Sequence, residues 1–254
     1  EIQRLGAETV MAFVAEPVVG ASLGTQPAPT GYFKRIREIC NTYGVLFIAD
    51  EVMCGMGRTG SLFALEQEGI AADITTLAKG LGAGYQPIAA LMAAENVIRI
   101  IKNGSGTLWN GHTYMSHAIA TAGALAVQQV IEEENLLTDV RTRGEQLRKG
   151  LQTRLSQNPH VGNIRGRGLF WTVELVQDRT TKQPFDATLG LAPKVREIAL
   201  DLGLMCYPSQ GCADGTQGDH VLLAPAYTST RKEIETICDL ITQAIETALT
   251  GLEA

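Results

Sequence analysis

Apolar residues in the first hundred positions come in short runs separated by segments of helical spacing. That order is expected of strands joined by crossover helices in a largely parallel sheet. Residues 10–15, 45–49 and 74–78 are the strands it predicts. Between the first two, Phe33, Ile36, Ile39, Cys40 and Tyr43 fall on one side of a helix that Thr30 can cap and Gly44 can end. A second crossover fits residues 62–68. The run at 88–93 follows the preceding strand too closely for a helical crossover, so an antiparallel strand is expected there.

From residue 116 to about 157 helix formers dominate, interrupted only at 135–139 and at Gly144, which predicts two or three helices. After Asn158-Pro159 the pattern changes to a strand at 169–176, a helix at 193–202 and a strand at 221–224. The last helix opens with Thr230 and Glu233, a capping box, and carries Ile234, Ile237, Ile241 and Ile245 along one side. The expected fold is therefore α/β, with residues 1–157 in a large domain and residues 158–254 in a smaller C-terminal α+β domain.

At 254 residues and 45% hydrophobic the chain can bury a sizeable core. A net charge of −6 without a basic stripe argues against nucleic acid as a partner. No apolar run nears the ~20 residues that span a bilayer, so no membrane association is expected. The five cysteines are odd in number and lack a CxxC pair, and the four histidines are scattered, so no metal site is expected and a reducing, cytoplasmic compartment is. The chain opens at Glu1 with no methionine and meets an apolar run almost at once, which places the expected native start upstream.

Each of the three parallel-strand candidates is followed by an ionisable residue: Glu16, Asp50 and Lys79. Parallel strands present their C-terminal ends at one edge, where open α/β sheets bind ligands, so these groups can share a site. A lysine amine that forms a Schiff base and a carboxylate that keeps a pyridine nitrogen protonated are what pyridoxal-phosphate chemistry requires. Lys79 and Asp50 are the right types, and Gly80, Gly82 and Gly84 let the backbone turn close to a ligand. A lysine in a glycine-rich loop is also commonly just solvated, and an Asp-Glu pair after a strand commonly caps a helix. Spacing alone leaves both readings open.

Ala15-Glu16-Pro17-Val18, the run from Ala49-Asp50-Glu51-Val52-Met53-Cys54 to Gly60, and Leu77-Ala78-Lys79-Gly80-Leu81-Gly82-Ala83-Gly84 closely resemble the class III aminotransferases of fold type I. Asn110-Gly111-His112-Thr113-Tyr114 resembles the family's phosphate-contacting segment, and Arg165-Gly166-Arg167-Gly168-Leu169 a segment of its small domain. The resemblance implies pyridoxal 5'-phosphate as cofactor, bound to Lys79, which would also move the proton between the substrate Cα and the cofactor. It implies that Asp50 pairs with the pyridinium nitrogen and that Val52 packs on the ring. Thr113 would donate to the phosphate in the neighbouring subunit of a homodimer.

Glu16 corresponds to a substrate-site glutamate that partners a mobile arginine in many members. The segment expected to supply that arginine, residues 209–220, contains none. Met53 stands where many members place a glutamine beside the cofactor's phenolic oxygen, and the Cys54-Gly55-Met56-Gly57-Arg58 continuation is similar to the branch that uses amines or ω-amino acids with pyruvate. Arg58 is read as a loop-ordering residue, and Cys54, His112 and His117 as structural. The family's Gly-Ser phosphate loop and ring-stacking aromatic have no counterpart in these residues. The expected function is transfer of an amino group from an amine or ω-amino acid to a 2-oxo acid such as pyruvate. The rivals are another reaction of the same cofactor (aminomutase, racemase or lyase) and a truncated, catalytically silent dimerising module.

Overall fold

The computed structural model describes residues 1–253. In chain order its first elements are α1 (Ile2–Leu5), β1 (Ala12–Ala15), β2 (Val18–Val19), β3 (Gln26–Pro27), α2 (Tyr32–Tyr43), β4 (Leu46–Asp50), β5 (Ile74–Leu77) and β6 (Ala90–Ala93). Helices α3 (Glu95–Asn103), α4 (Ala118–Glu133) and α5 (Leu136–Leu155) follow. The remainder is β7 (Val161–Arg167), β8 (Phe170–Leu175), α6 (Leu191–Asp201), β9 (Tyr207–Gln210), β10 (Asp219–Leu223) and α7 (Arg231–Glu253).

The chain divides into two compact units. The first comprises residues 1–17, 28–57 and 61–136; the second takes 18–27, 58–60 and everything from 137 onward. A boundary expected at 157/158 is therefore displaced. Helix α5 goes with the second unit because its inward residues Val140, Leu147, Leu151 and Leu155 are fully buried in a core with β8, α6 and α7. The break that matters lies between α4 and α5, where Asn135 takes a left-handed φ of 52°.

In the first unit the sheet order is β1-β4-β5-β6, with β1, β4 and β5 parallel and β6 antiparallel to β5. The strands predicted at 10–15, 45–49, 74–78 and 88–93 all form, shifted or shortened at their ends. Phe47 and Ala49 of β4 point into a core with Phe33 and Cys40 of α2 and with Leu65. Helix α2 starts one residue later than Thr30 would place it: its N-cap is Gly31 at φ 84°, with no side-chain cap. Gly44 closes it in the left-handed conformation, as expected. The crossover at 62–68 is a short 3-10 helix, Ala64–Glu68.

The second unit holds an antiparallel sheet of order β7-β8-β10-β9 and the β2-β3 hairpin. Gly144 does not interrupt α5. It sits inside the helix where the turn between β7 and β8 comes closest, and a Cβ there would lie 2.1 Å from the Gly168 carbonyl oxygen. Helix α7 begins with the predicted box: the Thr230 amide donates to Glu233 Oε2 at 2.7 Å, and the Glu233 amide to Thr230 Oγ1 at 3.3 Å.

Candidate active site

Three parallel strands end together. Ala15 is level with Ala49, and Asp50 with Thr76, so Glu16, Asp50 and Lys79 leave adjacent strands at the same edge of the first sheet. Lateral strand spacing and three residues of advance put the Cα atoms of Asp50 and Lys79 within roughly 12 Å. That separation lets a long lysine and a short carboxylate address opposite ends of one ring.

Asp50 is half-buried and its carboxylate is oriented by the backbone, since the Val52 amide donates to Oδ1 at 3.0 Å. The chain reaches Lys79 from Ala78, which is extended, and turns at once into the 3-10 segment Lys79–Leu81. Lys79 itself has φ 41°, a left-handed conformation for a residue with a side chain. Such a backbone costs on the order of 1–2 kcal/mol and persists only where its surroundings impose it. Here the Leu81 amide donates to Ala78 O at 2.9 Å and the Gly82 amide to Lys79 O at 3.2 Å. The Lys79 side chain is exposed at the sheet edge.

Val52 and Met53 are half-buried in the turn after Asp50, and Glu16 is half-buried after β1. Thr113 lies away from strand ends, in a stretch from 102 to 119 whose residues are all exposed, among them Trp109 at 87% and Tyr114 at 76%. Cys54 is wholly buried, with its thiol 3.8 Å from Asp50 O, which is a packing position. His117 accepts the Ala120 amide at 3.2 Å and caps α4, a structural role.

Sequence reasoning passed over Glu51. It is 1% exposed, and its carboxylate accepts the amides of Ala64 at 2.6 Å and Leu65 at 3.0 Å. Burial pushes its pKa up, and the two amides pull the other way. The signal was the Asp-Glu pair, but the helix start whose amides Glu51 accepts lies thirteen residues on, not directly after the strand.

In the second unit Arg58 is anchored through Nη1 to the carbonyls of Leu169 at 2.9 Å and Pro225 at 2.6 Å, and its guanidinium stacks 4.6 Å from the Tyr227 ring centre. Burial lowers its pKa, and a loop-ordering role fits these contacts. Residues 211–218 fold back on themselves through Gly211 N to Gly218 O at 2.8 Å and Ala213 N to Gln217 O at 2.9 Å. Asp214 Oδ1 accepts the amides of Thr216 and Gln217, which hold its pKa below the usual carboxylate range.

The donor set fits pyridoxal phosphate: an amine and an oriented carboxylate close the ends of neighbouring strands, as the two ends of that ring require. Comparison with known proteins agrees. The family described as "Aminotransferase class-III" matches residues 1–245. A Gibberella zeae protein named "Aminotransferase" is 50% identical over 250 residues, 98% of this chain and 49% of its own. Among solved structures, a transaminase from the marine bacterium Virgibacillus superposes with a TM-score of 0.92 at 37% identity, covering 99% of this chain and 56% of that one. A PLP-bound amine transaminase from an uncultivated Pseudomonas species superposes at 0.86 with 36% identity, covering 97% and 53%. The chain spans about half the length of the relatives it matches. The mixed parallel and antiparallel first sheet with its crossover elements is the fold type I arrangement of those transaminases.

Proposed function

This chain belongs to the class III aminotransferases, a pyridoxal-phosphate-dependent family, and from that premise we propose that it serves a transaminase passing an amino group from an amine or ω-amino acid to a 2-oxo acid such as pyruvate. The observation that carries the reading is Asp50 and Lys79 at the ends of adjacent parallel strands, the first oriented by Val52 N and the second held in a left-handed backbone.

When bound, pyridoxal phosphate supplies an electron-withdrawing ring that stabilises the pair left at the substrate Cα once its proton departs. Lys79 is the attachment point. Its amine, when free, would be the base that takes the proton from the substrate Cα and gives it back. Asp50 keeps a negative charge against the ring nitrogen and so holds that nitrogen's proton. Val52 would pack against the ring, and Met53, apolar, would offer no hydrogen bond to the phenolic oxygen. We assign the first unit to cofactor binding and the second unit to the small domain.

Thr113 donates to the phosphate of the neighbouring subunit in a homodimer. The exposed apolar residues that flank it, Leu108, Trp109, Tyr114 and Met115, support an interface there. Glu16, half-buried after β1, is the substrate-site residue of this reading. Residues 209–220, where the resemblance places a carboxylate-binding arginine, contain none, so this reading needs another residue to bind the acceptor's carboxylate.

The test is a donor and acceptor screen on the intact holoprotein, read by 2-oxo acid consumption. Turnover that requires a 2-oxo acid and falls by roughly 10³-fold or more in Lys79→Ala supports the assignment. Turnover of the amine without any acceptor assigns a different reaction to the same cofactor.

A further inference from the structure

Asp50 can serve a ring nitrogen only if its carboxylate is held in one orientation, and the group that holds it is built from the residue after it. Glu51 extends the β4-β5 ladder, its amide donating to Thr76 O at 3.0 Å. Its backbone carbonyl accepts the Gly55 amide at 2.9 Å, which closes a turn over residues 51–55. Its buried carboxylate then takes the amides of Ala64 and Leu65, so the far end of the loop is clipped to the same residue. Gly55 lies directly on this clip: a Cβ there would stand 2.7 Å from Glu51 O and 2.9 Å from Glu51 Oε2. Within the turn so formed, Val52 N meets Asp50 Oδ1.

We propose that Glu51 is a positioning residue for Asp50, its buried carboxylate fastening the loop whose Val52 amide sets the Asp50 side chain toward the cofactor. The inference rests on the reading of Asp50 and Lys79 as cofactor residues. A charged carboxylate is the group the clip needs, because two converging N–H donors require two acceptor oxygens. Glutamine offers one oxygen and turns an NH₂ toward the second amide, so the same shape cannot make both bonds. Burying a carboxylate is costly, and an Asp-Glu pair with a solvated Glu would serve a strand end as well. Full burial of Glu51 is therefore explained by what it fastens.

The experiment compares Glu51→Gln and Gly55→Ala, which disturb the clip from its two sides, with the intact holoprotein, using added pyridoxal phosphate as probe. Arg37→Gln is the stability control, because it breaks the Arg37–Asp73 pair at the opposite end of β5. The expected result is that both clip variants bind pyridoxal phosphate roughly tenfold more weakly, the size of effect that orienting partners have on the groups they hold. The visible circular dichroism of bound cofactor should fall in both. Arg37→Gln should lower the melting temperature and change neither readout. If Glu51→Gln does not fold, Gly55→Ala decides. Wild-type affinity and dichroism in a folded clip variant overturn the inference. A wild-type protein that holds no pyridoxal phosphate, or a Lys79→Ala variant that holds it covalently, overturns instead the reading on which it rests.

Discussion

At the scale of single residues the account turns on charge placed where the backbone can hold it. Asp50→Asn keeps the shape and the bond from Val52 N, yet removes the charge that a protonated ring nitrogen needs. Losing one oriented electrostatic partner costs on the order of 10²-fold or more. Steady-state turnover of Asp50→Asn should fall by at least that factor with the fold unchanged. His220 makes a different prediction. It is fully buried, and burial pulls its pKa from the ordinary 6.5 down to about 4. The unfolded chain binds this proton first as the pH falls, so the folded state loses stability between about pH 6.5 and about pH 4, by up to about 3 kcal/mol. Melting temperature should fall as the pH is lowered through that window. In His220→Gln the part of the slope due to this residue should vanish, and an unchanged slope would contradict the assignment.

At the scale of elements, burial decided what could be read from the sequence. Strands β4 and β5 are the inner strands of their sheet and carry apolar or β-branched residues that are buried or half-buried, and they stood out. The edge strands β7 and β9 did not, because Val161–Arg167 carries two glycines and two arginines and Tyr207–Gln210 a proline among polar residues. Their partner is backbone, and backbone pairing leaves no apolar signature. Gly144 read as a helix break for the same reason: a helical glycine and a close approach look alike in a sequence. The magnitudes separate them. Gly144→Ala gains about 1 kcal/mol of helix propensity, but its Cβ would press on the Gly168 carbonyl, and overpacking costs typically 1–3 kcal/mol. Chemical denaturation should show the variant destabilised. Leu151→Ala on the same helix, fully buried, should cost about 2–5 kcal/mol.

At the scale of the whole molecule, the placement of the candidate pair was legible: an acid and an amine that follow neighbouring strands could be named from the sequence. Glu51 could not, since its partners, Ala64 and Leu65, are backbone amides far along the chain. The division into units was misplaced because Asn158-Pro159 marks the end of a helix and not the end of a core. The interface proposed at the exposed stretch around Thr113 predicts self-association. Sedimentation of the intact holoprotein should give a dimer, and Trp109→Glu should weaken it by tenfold or more, as a charge does at an apolar interface.

The central claim is that the amine of Lys79 carries the cofactor. Borohydride reduction of the holoprotein fixes a carbon–nitrogen double bond as a stable single bond, and peptide mass mapping then locates it. The account predicts one pyridoxyl-phosphate adduct per chain, on the peptide containing Lys79; an adduct on another lysine, with Lys79 unmodified, would contradict it.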